Sequence, residues 1–381
     1  MPGIVDRCRD AAARGVVLLA LDGLSYGVAE QTLVHARIRP LLSTFPSTST
    51  TAWLTAVTGL EAGEHGAVGM VYRAPGADAV THLVSGSRYR FGDAAAAVGR
   101  GTAKLVLGGP TLFERCAESE QNRAVVVGAE LEGLSGEWAE ALLRGADVVP
   151  SAPGPLTDDP VEVVRRAVRD VGARLLAEPP SLVWAYVNLD DHIHRFGYDR
   201  RLRDAVRLLD LAACRWAEAG WSVLAHADHG QTPVTPRAEL IDAWARMDSP
   251  AHCVLPAGGA GRVRWMYPRP GHRRRLAEEL RQALAGHALV LSPEDLDAQG
   301  LLAATPVVLE RIGAVVAVAT SSCFPVPDPG LAWEHGARSE DELLVPLAAW
   351  GADPWPEQTP SSPPPAAPPD RPRPSSDEET A

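Results

Sequence analysis

The stretch VVLLALDG, from Val16 to Gly23, decides how this sequence is expected to fold. An unbroken apolar run of this length is typical of a strand buried on both faces, as in a parallel sheet, and it ends directly in Asp22. Other short apolar runs along the chain have the same character. They are Ala124–Val127, Leu182–Val187, Val223–Ala225 and Val315–Ala319.

Amphipathic segments lie between these runs. Val161–Leu176 has apolar residues at helical spacing with arginines on the other face, and Leu202–Ala219 and Arg274–Leu284 follow the same pattern. Strands that alternate with helices predict an α/β fold, with a mainly parallel central sheet and helices on both faces. Residues 235–304 interrupt this alternation and are rich in Pro, Gly and Arg, which predicts a small cap-like insertion.

Length and composition set the extent of the folded part. The chain has 381 residues, 46% of them hydrophobic, which is enough to bury a sizeable core. We predict one α/β domain over residues 1–352, including the cap-like insertion. Residues 353–381 consist largely of Pro, Ser, Asp and Glu, and such a segment buries too little apolar surface to offset its ordering entropy. This tail is therefore predicted to be disordered.

Charge, hydropathy and cysteine usage narrow the partners and the compartment. The formal net charge of −12 is unfavourable for binding a nucleic-acid polymer through its phosphates. The first apolar run is too short for a signal peptide, and no run approaches the length of a membrane span, so we expect no membrane association. The five cysteines lack CxxC spacing and are typical of reduced thiols, which predicts a cytoplasmic protein.

Polar residues follow the apolar runs, at the edge where open α/β sheets bind ligands. Zinc and similar ions accept His nitrogen and Asp oxygen, and two ions about 4 Å apart can support an in-line displacement at phosphorus. Three carboxylates and three imidazoles are placed in this way, which makes two sets of three ligands. They are Asp22, Asp190, His194, Asp228, His229 and His335. Asp191 and His192 adjoin two of these residues, so the register at that point is open.

A cluster of hydroxyl residues precedes an apolar helix that is expected to end at Gly59. In the sequence FPSTSTTAW, residues 45–53, Ser49 lies near the predicted helix start, where unpaired backbone N–H groups suit a phosphoryl oxygen. A hydroxyl bound to a metal ion at this point becomes nucleophilic. Thr48 and Thr50 are alternative nucleophiles, and taken alone the cluster also fits an N-cap with spare hydroxyls.

The order of these motifs resembles the alkaline phosphatase superfamily, in particular its nucleotide pyrophosphatase/phosphodiesterase-like branch. The resemblance extends from Asp22 to His335, which is nearly all of the predicted domain. Gly197 follows at the spacing that the family shows, which favours Asp190 and His194 over their neighbours. The resemblance implies two ligand sets: Asp190, His194 and His335 for one ion, and Asp22, Ser49, Asp228 and His229 for the other.

The resemblance also implies a function. It predicts a phosphoric ester hydrolase that acts on phosphodiester or pyrophosphate bonds and forms a covalent phospho-serine intermediate on Ser49. The expected cofactors are two divalent metal ions, zinc or alternatively manganese, and the expected partner is a small phosphorylated substrate. Phosphomonoester or phosphonate hydrolysis on the same core is the alternative.

Two interpretations from other classes compete with this one. Residues 23–27 read GLSYG, a G-x-S-x-G pattern typical of the nucleophile elbow of α/β-hydrolases, with Ser25 as nucleophile. Few residues precede this motif, whereas the elbow normally follows several strands, and the esterase interpretation leaves Asp190, His194 and His229 without a role. A non-catalytic metal-binding scaffold is the second alternative, although no ligand is missing from the sets.

Overall fold

The structure is a computed structural model that describes residues 1–12, 14–92, 99–118, 122–176, 180–351 and 355. The tail predicted over residues 353–381 lies outside the described residues, apart from Trp355. The strands are β1 Val16–Asp22, β2 Arg37–Leu42, β3 Val71–Arg73, β4 Val80–His82, β5 Arg88–Tyr89, β6 Ala124–Val127, β7 Asp147–Val148, β8 Leu182–Asn188, β9 Ser222–Ala227, β10 Thr232–Pro233, β11 Cys253–Ala260, β12 Val263–Pro268, β13 Ala288–Leu291, β14 Val315–Ala319, β15 Trp333–Glu334 and β16 Leu344–Trp350. The α-helices are α1 Pro2–Ala11, α2 Tyr26–Thr32, α3 Ser49–Thr58, α4 Ala62–His65, α5 Leu112–Cys116, α6 Glu137–Leu142, α7 Pro160–Leu176, α8 Asp190–Phe196, α9 Arg200–Glu218, α10 Ala238–Met247, α11 Arg273–Ala283, α12 Pro293–Ala298, α13 Pro306–Arg311 and α14 Glu340–Leu343.

A seven-stranded mixed sheet forms the centre, in the order β2-β16-β9-β1-β8-β6-β7. The entirely buried strand β1 lies in the middle and runs parallel to β8 on one side and to β9 on the other. At one edge β16 runs antiparallel to both β9 and β2. The sheet is therefore mostly parallel, as the apolar runs predicted, with one antiparallel strand, β16, that they did not reveal.

Helices cover both faces of this sheet, as expected. On one face α7 and α9 pack through the apolar stripes visible in the sequence, for example with Val164 and Leu209. Burying one such side chain contributes roughly 1.5–3 kcal/mol. On the other face α3 places Trp53 against Trp184 of β8, with ring centroids 5.9 Å apart. None of the described helices is both long and apolar enough to cross a bilayer.

A second sheet, β13-β14-β12-β11-β3-β4-β5, is antiparallel throughout its described pairings. Its strand β14 is the run Val315–Ala319, which we expected in the parallel sheet. That expectation was wrong, because a short, fully buried apolar run has the same composition in either kind of sheet. Residues 235–304 contribute β11, β12 and β13 to this sheet, whereas its other strands come from outside that range. Their designation as a cap stays a prediction.

Candidate active site

Three of the predicted ligand segments meet at the carboxyl end of the central strands. Asp22 is the last residue of β1, Asp190 begins α8 directly after β8, and Asp228 follows β9. Because β1 lies between β8 and β9 and is parallel to both, the residues that follow these strands converge at one edge of the sheet.

His335 reaches the same edge by a different route. It follows β15, which pairs antiparallel with β10, so that Glu334 lies opposite Thr232 shortly after β9. The segment is also tied to the hydroxyl cluster, because Gly336 forms a β-bridge with Ser47 and its N–H donates to the Ser47 hydroxyl at 3.1 Å. These contacts hold His335 beside the ligands that follow β9.

The Ser49 hydroxyl lies against one group of ligands. Its Oγ is 3.1 Å from Nε2 of His229 and 3.4 Å from Oδ1 of Asp22. Asp228 completes the group, with Oδ2 3.2 Å from His229 Nε2 and Oδ1 accepting the N–H of Gly23 at 3.1 Å. One ligand atom from each of Asp22, Asp228 and His229 lies within 4.8 Å of the others. This spacing allows the three side chains to share one ion.

The remaining ligands form an adjoining group. Nε2 of His194 lies 3.0 Å from Oδ2 of Asp190, and the rings of His229 and His335 stack with centroids 3.7 Å apart. Ligand atoms of Asp190, His229 and His335 lie within 4.8 Å of one another, and so do those of His194, Glu334 and His335. His229 therefore belongs to both groups, and His335 stacks on it from the second group. Glu334 was not among the candidates from the sequence.

The structure separates the candidates from their neighbours in sequence. His192 turns to Asp199, with its Nε2 3.1 Å from the carboxylate, and Asp191 is exposed beside Asn188. The alternative register is therefore not the one brought to the site. Within the part of the chain that the structure describes, the buried hydroxyls of Thr48 and Thr50 have no hydrogen-bond partner, whereas that of Ser49 faces the ligands.

Ser25, the nucleophile of the competing esterase interpretation, is buried immediately before α2. The hydroxyl of Ser49, by contrast, contacts an imidazole of the candidate ligands, with Oγ 3.1 Å from Nε2 of His229.

Each candidate histidine is oriented by a backbone carbonyl. A ring that donates Nδ1–H to a carbonyl keeps the lone pair of Nε2 free for a metal ion. The three Nδ1 atoms lie 2.8 Å from the Trp333 oxygen for His194, 2.8 Å from the Ser47 oxygen for His335 and 3.2 Å from the Gly230 oxygen for His229. All three rings thus suit coordination through Nε2.

The buried carboxylates require a positive charge. Burial, reinforced by Asp228, raises the pKa of Asp22 well above its ordinary value, and burial together with Asp190 raises the pKa of Asp228 to about 7. Among the described residues neither carboxylate pairs with a Lys or Arg side chain, and Asp228 Oδ2 is buried without a hydrogen-bond donor. A divalent cation supplies the missing charge, so the residues fit a metal site.

Asp190 and His194 behave as an ion pair that a cation would replace. Burial by itself lowers the pKa of His194, but the adjoining Asp190 carboxylate outweighs burial and raises this pKa to about 10. Binding of a cation would displace the proton from the imidazole, because a coordinating histidine must be neutral.

Sequence reasoning missed the residues that hold the ligands in place. Tyr186 donates to Asp22 Oδ2 at 2.5 Å, and Gln231 donates to Asp190 Oδ1 at 2.5 Å. The Tyr198 hydroxyl donates to the carbonyl of Gly23 and accepts the N–H of Gln231, both at 2.8 Å. These contacts join segments far apart in sequence. The sequence signal available for them was position alone. Tyr186 lies two residues before the end of β8, and Gln231 lies two residues after His229.

With this sheet and this group of Asp and His side chains, the molecule falls in the class of alkaline-phosphatase-like, metal-dependent hydrolases of phosphate esters. The chain belongs to the type I phosphodiesterase / nucleotide pyrophosphatase family, whose model matches residues 16–339. That match runs from β1 past His335 and so contains every predicted ligand. The recognition made from the motifs is thereby confirmed, and the chain is a phosphoric ester hydrolase.

Solved structures share the fold at low sequence identity. A murine ectonucleotide pyrophosphatase / phosphodiesterase 5, inactive and in complex with AMP, is 15% identical with a TM-score of 0.59, covering 89% of this chain and 88% of that one. Phosphonoacetate hydrolase from Sinorhizobium meliloti 1021, in complex with phosphonoacetate, is 17% identical with a TM-score of 0.63, covering 91% and 92%. Among curated proteins, none is similar enough in sequence to count as a match.

Proposed function

We propose that the chain hydrolyses phosphodiester or pyrophosphate bonds through a covalent phospho-serine on Ser49, at a site for two divalent cations. The observation that carries the proposal is the position of the Ser49 hydroxyl. It lies at the first residue of α3 and within 3.4 Å of both Asp22 and His229. A hydroxyl held against metal ligands at a helix start is the arrangement that nucleophilic attack on phosphorus requires.

The ligand groups suggest how the cations are divided. Asp22, Asp228 and His229 would hold one ion together with Ser49. Asp190, His194 and His335 would hold the other. When bound, the ions lower the pKa of the serine hydroxyl and offset the negative charge of the phosphoryl oxygens. Nitrogen and carboxylate ligands suit zinc, and manganese is the alternative.

The chain's own residues then carry out two displacements. In the first, Ser49 Oγ forms a bond to phosphorus while the bond from phosphorus to the leaving oxygen breaks. In the second, water attacks the phospho-serine and releases the Ser49 hydroxyl together with the phosphate product. Ser49 begins α3, so the unpaired N–H groups of the first turn of this helix would be available to donate to the phosphoryl oxygens. Trp138 fixes this helix start by donating to the Thr50 carbonyl at 3.0 Å.

Replacement of the nucleophile tests the proposal. Ser49→Ala should lower turnover of bis-p-nitrophenyl phosphate by roughly a thousandfold or more, because the attacking atom is removed. Metal content by elemental analysis should stay near the wild-type value, since the Asp and His ligands remain. Ser25→Ala is the matched control and should retain turnover. Normal activity in Ser49→Ala, or its loss in Ser25→Ala alone, would overturn the assignment.

The covalent intermediate has its own test. Wild-type protein quenched in acid during turnover should carry a phosphoryl adduct on the peptide that contains Ser49, detected by mass spectrometry. Ser49→Ala should carry none. An adduct on Thr48 or Thr50 in the wild type would move the nucleophile to that residue.

A phosphonate is the second candidate substrate. The observation that favours it is the solved structure of a phosphonoacetate hydrolase in complex with phosphonoacetate, which aligns over 91% of this chain. A panel of a nucleotide diester, a pyrophosphate, a phosphomonoester and phosphonoacetate, assayed on one preparation with its metal content, would rank the classes. The largest kcat/KM identifies the substrate class.

Partners and compartment belong to the same proposal. We infer a small phosphorylated substrate, because the site lies at the edge of a sheet in a chain with a formal net charge of −12. The five cysteines are free, which supports the predicted cytoplasmic location. Fractionation of the native host cells would test that location.

A further inference from the structure

Gln231 is a buried polar residue that the reaction described above does not use. It follows the sequence Asp228-His229-Gly230, and its side chain is completely excluded from solvent. Its Nε2 donates to Oδ1 of Asp190 at 2.5 Å and lies 3.3 Å from the Asp190 carbonyl oxygen. An uncharged amide therefore contacts a carboxylate that we place among the metal ligands.

Because of this contact, the two carboxylate oxygens of Asp190 have different partners. Oδ1 accepts from Gln231, while Oδ2 lies 3.0 Å from His194 Nε2, on the side of the other ligands. A carboxylate with one oxygen held by an amide offers a single oxygen to a cation, in a fixed orientation. Hydrogen bonds of this kind, one step removed from the ion, commonly change metal affinity by about 10–100-fold.

The backbone of Gln231 is fixed as well. Its N–H donates to the Tyr198 hydroxyl at 2.8 Å, and that hydroxyl donates to the carbonyl of Gly23 at 2.8 Å. The residue that orients Asp190 is thus anchored to the segment that follows Asp22. This chain of hydrogen bonds therefore connects the segments that carry the two ligand groups.

The side-chain amide of Gln231 is satisfied on one side only. Among the described residues its buried Oε1 has no hydrogen-bond partner, and an unsatisfied buried acceptor is destabilising. Methionine has similar length, fills the same space and carries no such acceptor. What glutamine supplies in return is the hydrogen bond to Asp190, so its advantage at this position lies in that contact.

We propose that Gln231 is a positioning residue that holds Asp190 as a one-oxygen ligand and thereby sets the affinity of the ion bound with His194 and His335. The inference rests on the proposed two-ion site. It assigns to Gln231 no contact with the substrate or with the reacting atoms.

Metal binding by Gln231→Met tests the inference without any measurement of turnover. Chelator-treated wild-type and variant proteins are titrated with Zn²⁺ against a chromophoric competitor, and both are melted in the metal-free state. The variant should bind one ion about 10–100-fold more weakly and the other with wild-type affinity. Its metal-free melting temperature should fall only slightly, because a single hydrogen bond to Asp190 is lost. Gln299→Met, at an exposed position, is the control and should bind both ions normally.

The outcomes separate the two proposals. Equal affinity of Gln231→Met and wild type for both ions overturns the role of Gln231 and leaves the two-ion site intact. Weaker binding of both ions together with a markedly lower metal-free melting temperature also overturns it, because that result indicates a structural defect. A wild-type protein that binds fewer than two ions overturns the proposed site itself.

Discussion

The hydrogen bond from Tyr186 to Asp22 can be tested for its contribution to metal affinity. The Tyr186 hydroxyl donates to Asp22 Oδ2 at 2.5 Å, and the ring of this residue stacks on Trp184 with centroids 6.2 Å apart. Tyr186→Phe keeps the ring and its packing and removes one hydroxyl. The variant therefore isolates a single hydrogen bond to a single metal ligand.

The size of the effect follows from that contact. A hydrogen bond to a charged group contributes about 1.5–3 kcal/mol, which corresponds to about a 10- to 150-fold change in affinity. The bond stabilises the ionised form of Asp22, whose pKa is already raised by burial and by Asp228. Without it the pKa rises further, so protons compete better with the cation. The loss of affinity should therefore be larger at pH 6.5 than at pH 8.5.

Competitive Zn²⁺ titration at both pH values measures this change. Tyr72→Phe in β3 is the matched control, because it removes a buried hydroxyl for which the described residues provide no hydrogen-bond partner. The control should bind zinc as the wild type does at both pH values. If Tyr186→Phe binds both ions with unchanged affinity, the hydrogen bond does not contribute to metal binding by Asp22, and the reasoning fails.

Three further changes have defined outcomes. EDTA should abolish turnover, and zinc or manganese should restore it. The melting temperature should also rise on reloading, because a ligand at a hundred times its Kd adds about 2.7 kcal/mol to the free energy of unfolding. Activity that persists in EDTA contradicts a metal site. His335→Ala should bind one ion fewer by elemental analysis with an unchanged circular dichroism spectrum, whereas full occupancy removes His335 from the ligands. Burial, reinforced by Arg311, lowers the pKa of His65 to about 4. Between pH 7 and pH 5 this histidine is therefore protonated in the unfolded chain but not in the folded one. Its presence lowers the free energy of unfolding by about 2 kcal/mol as the pH falls from 7 to 5. Urea unfolding of His65→Gln should show a correspondingly smaller loss over this range, and an equal loss would contradict the assignment.

The central strands and the polar residues that follow them were predictable from the sequence. The runs from Val16 and Leu182 became neighbouring parallel strands, and β6 has the predicted bounds. A strand buried on both faces needs continuous apolar residues, and a ligand-binding edge needs polar ones directly after them. Both requirements are local, so they are visible in a single sequence.

The rest depends on contacts between distant residues. Val315–Ala319 lies in the antiparallel sheet because β12 and β13 pair with it, and nothing within the run specifies its partners. His335 reaches the site through the short pairing of β15 with β10, which is too brief to give a periodic signal. The donors Tyr186 and Gln231 are likewise defined only by where their acceptors lie in space.

The carbonyl groups that face Nδ1 of the three histidines have a consequence for how the protein acquires its ions. The three carbonyls belong to the main chain, so the fold itself sets the direction of each Nε2 lone pair. The choice of metal would then rest on the type of ligand and not on an induced fit of the rings. Which element the site takes up would follow from relative supply in the surrounding medium as much as from the protein's own preference.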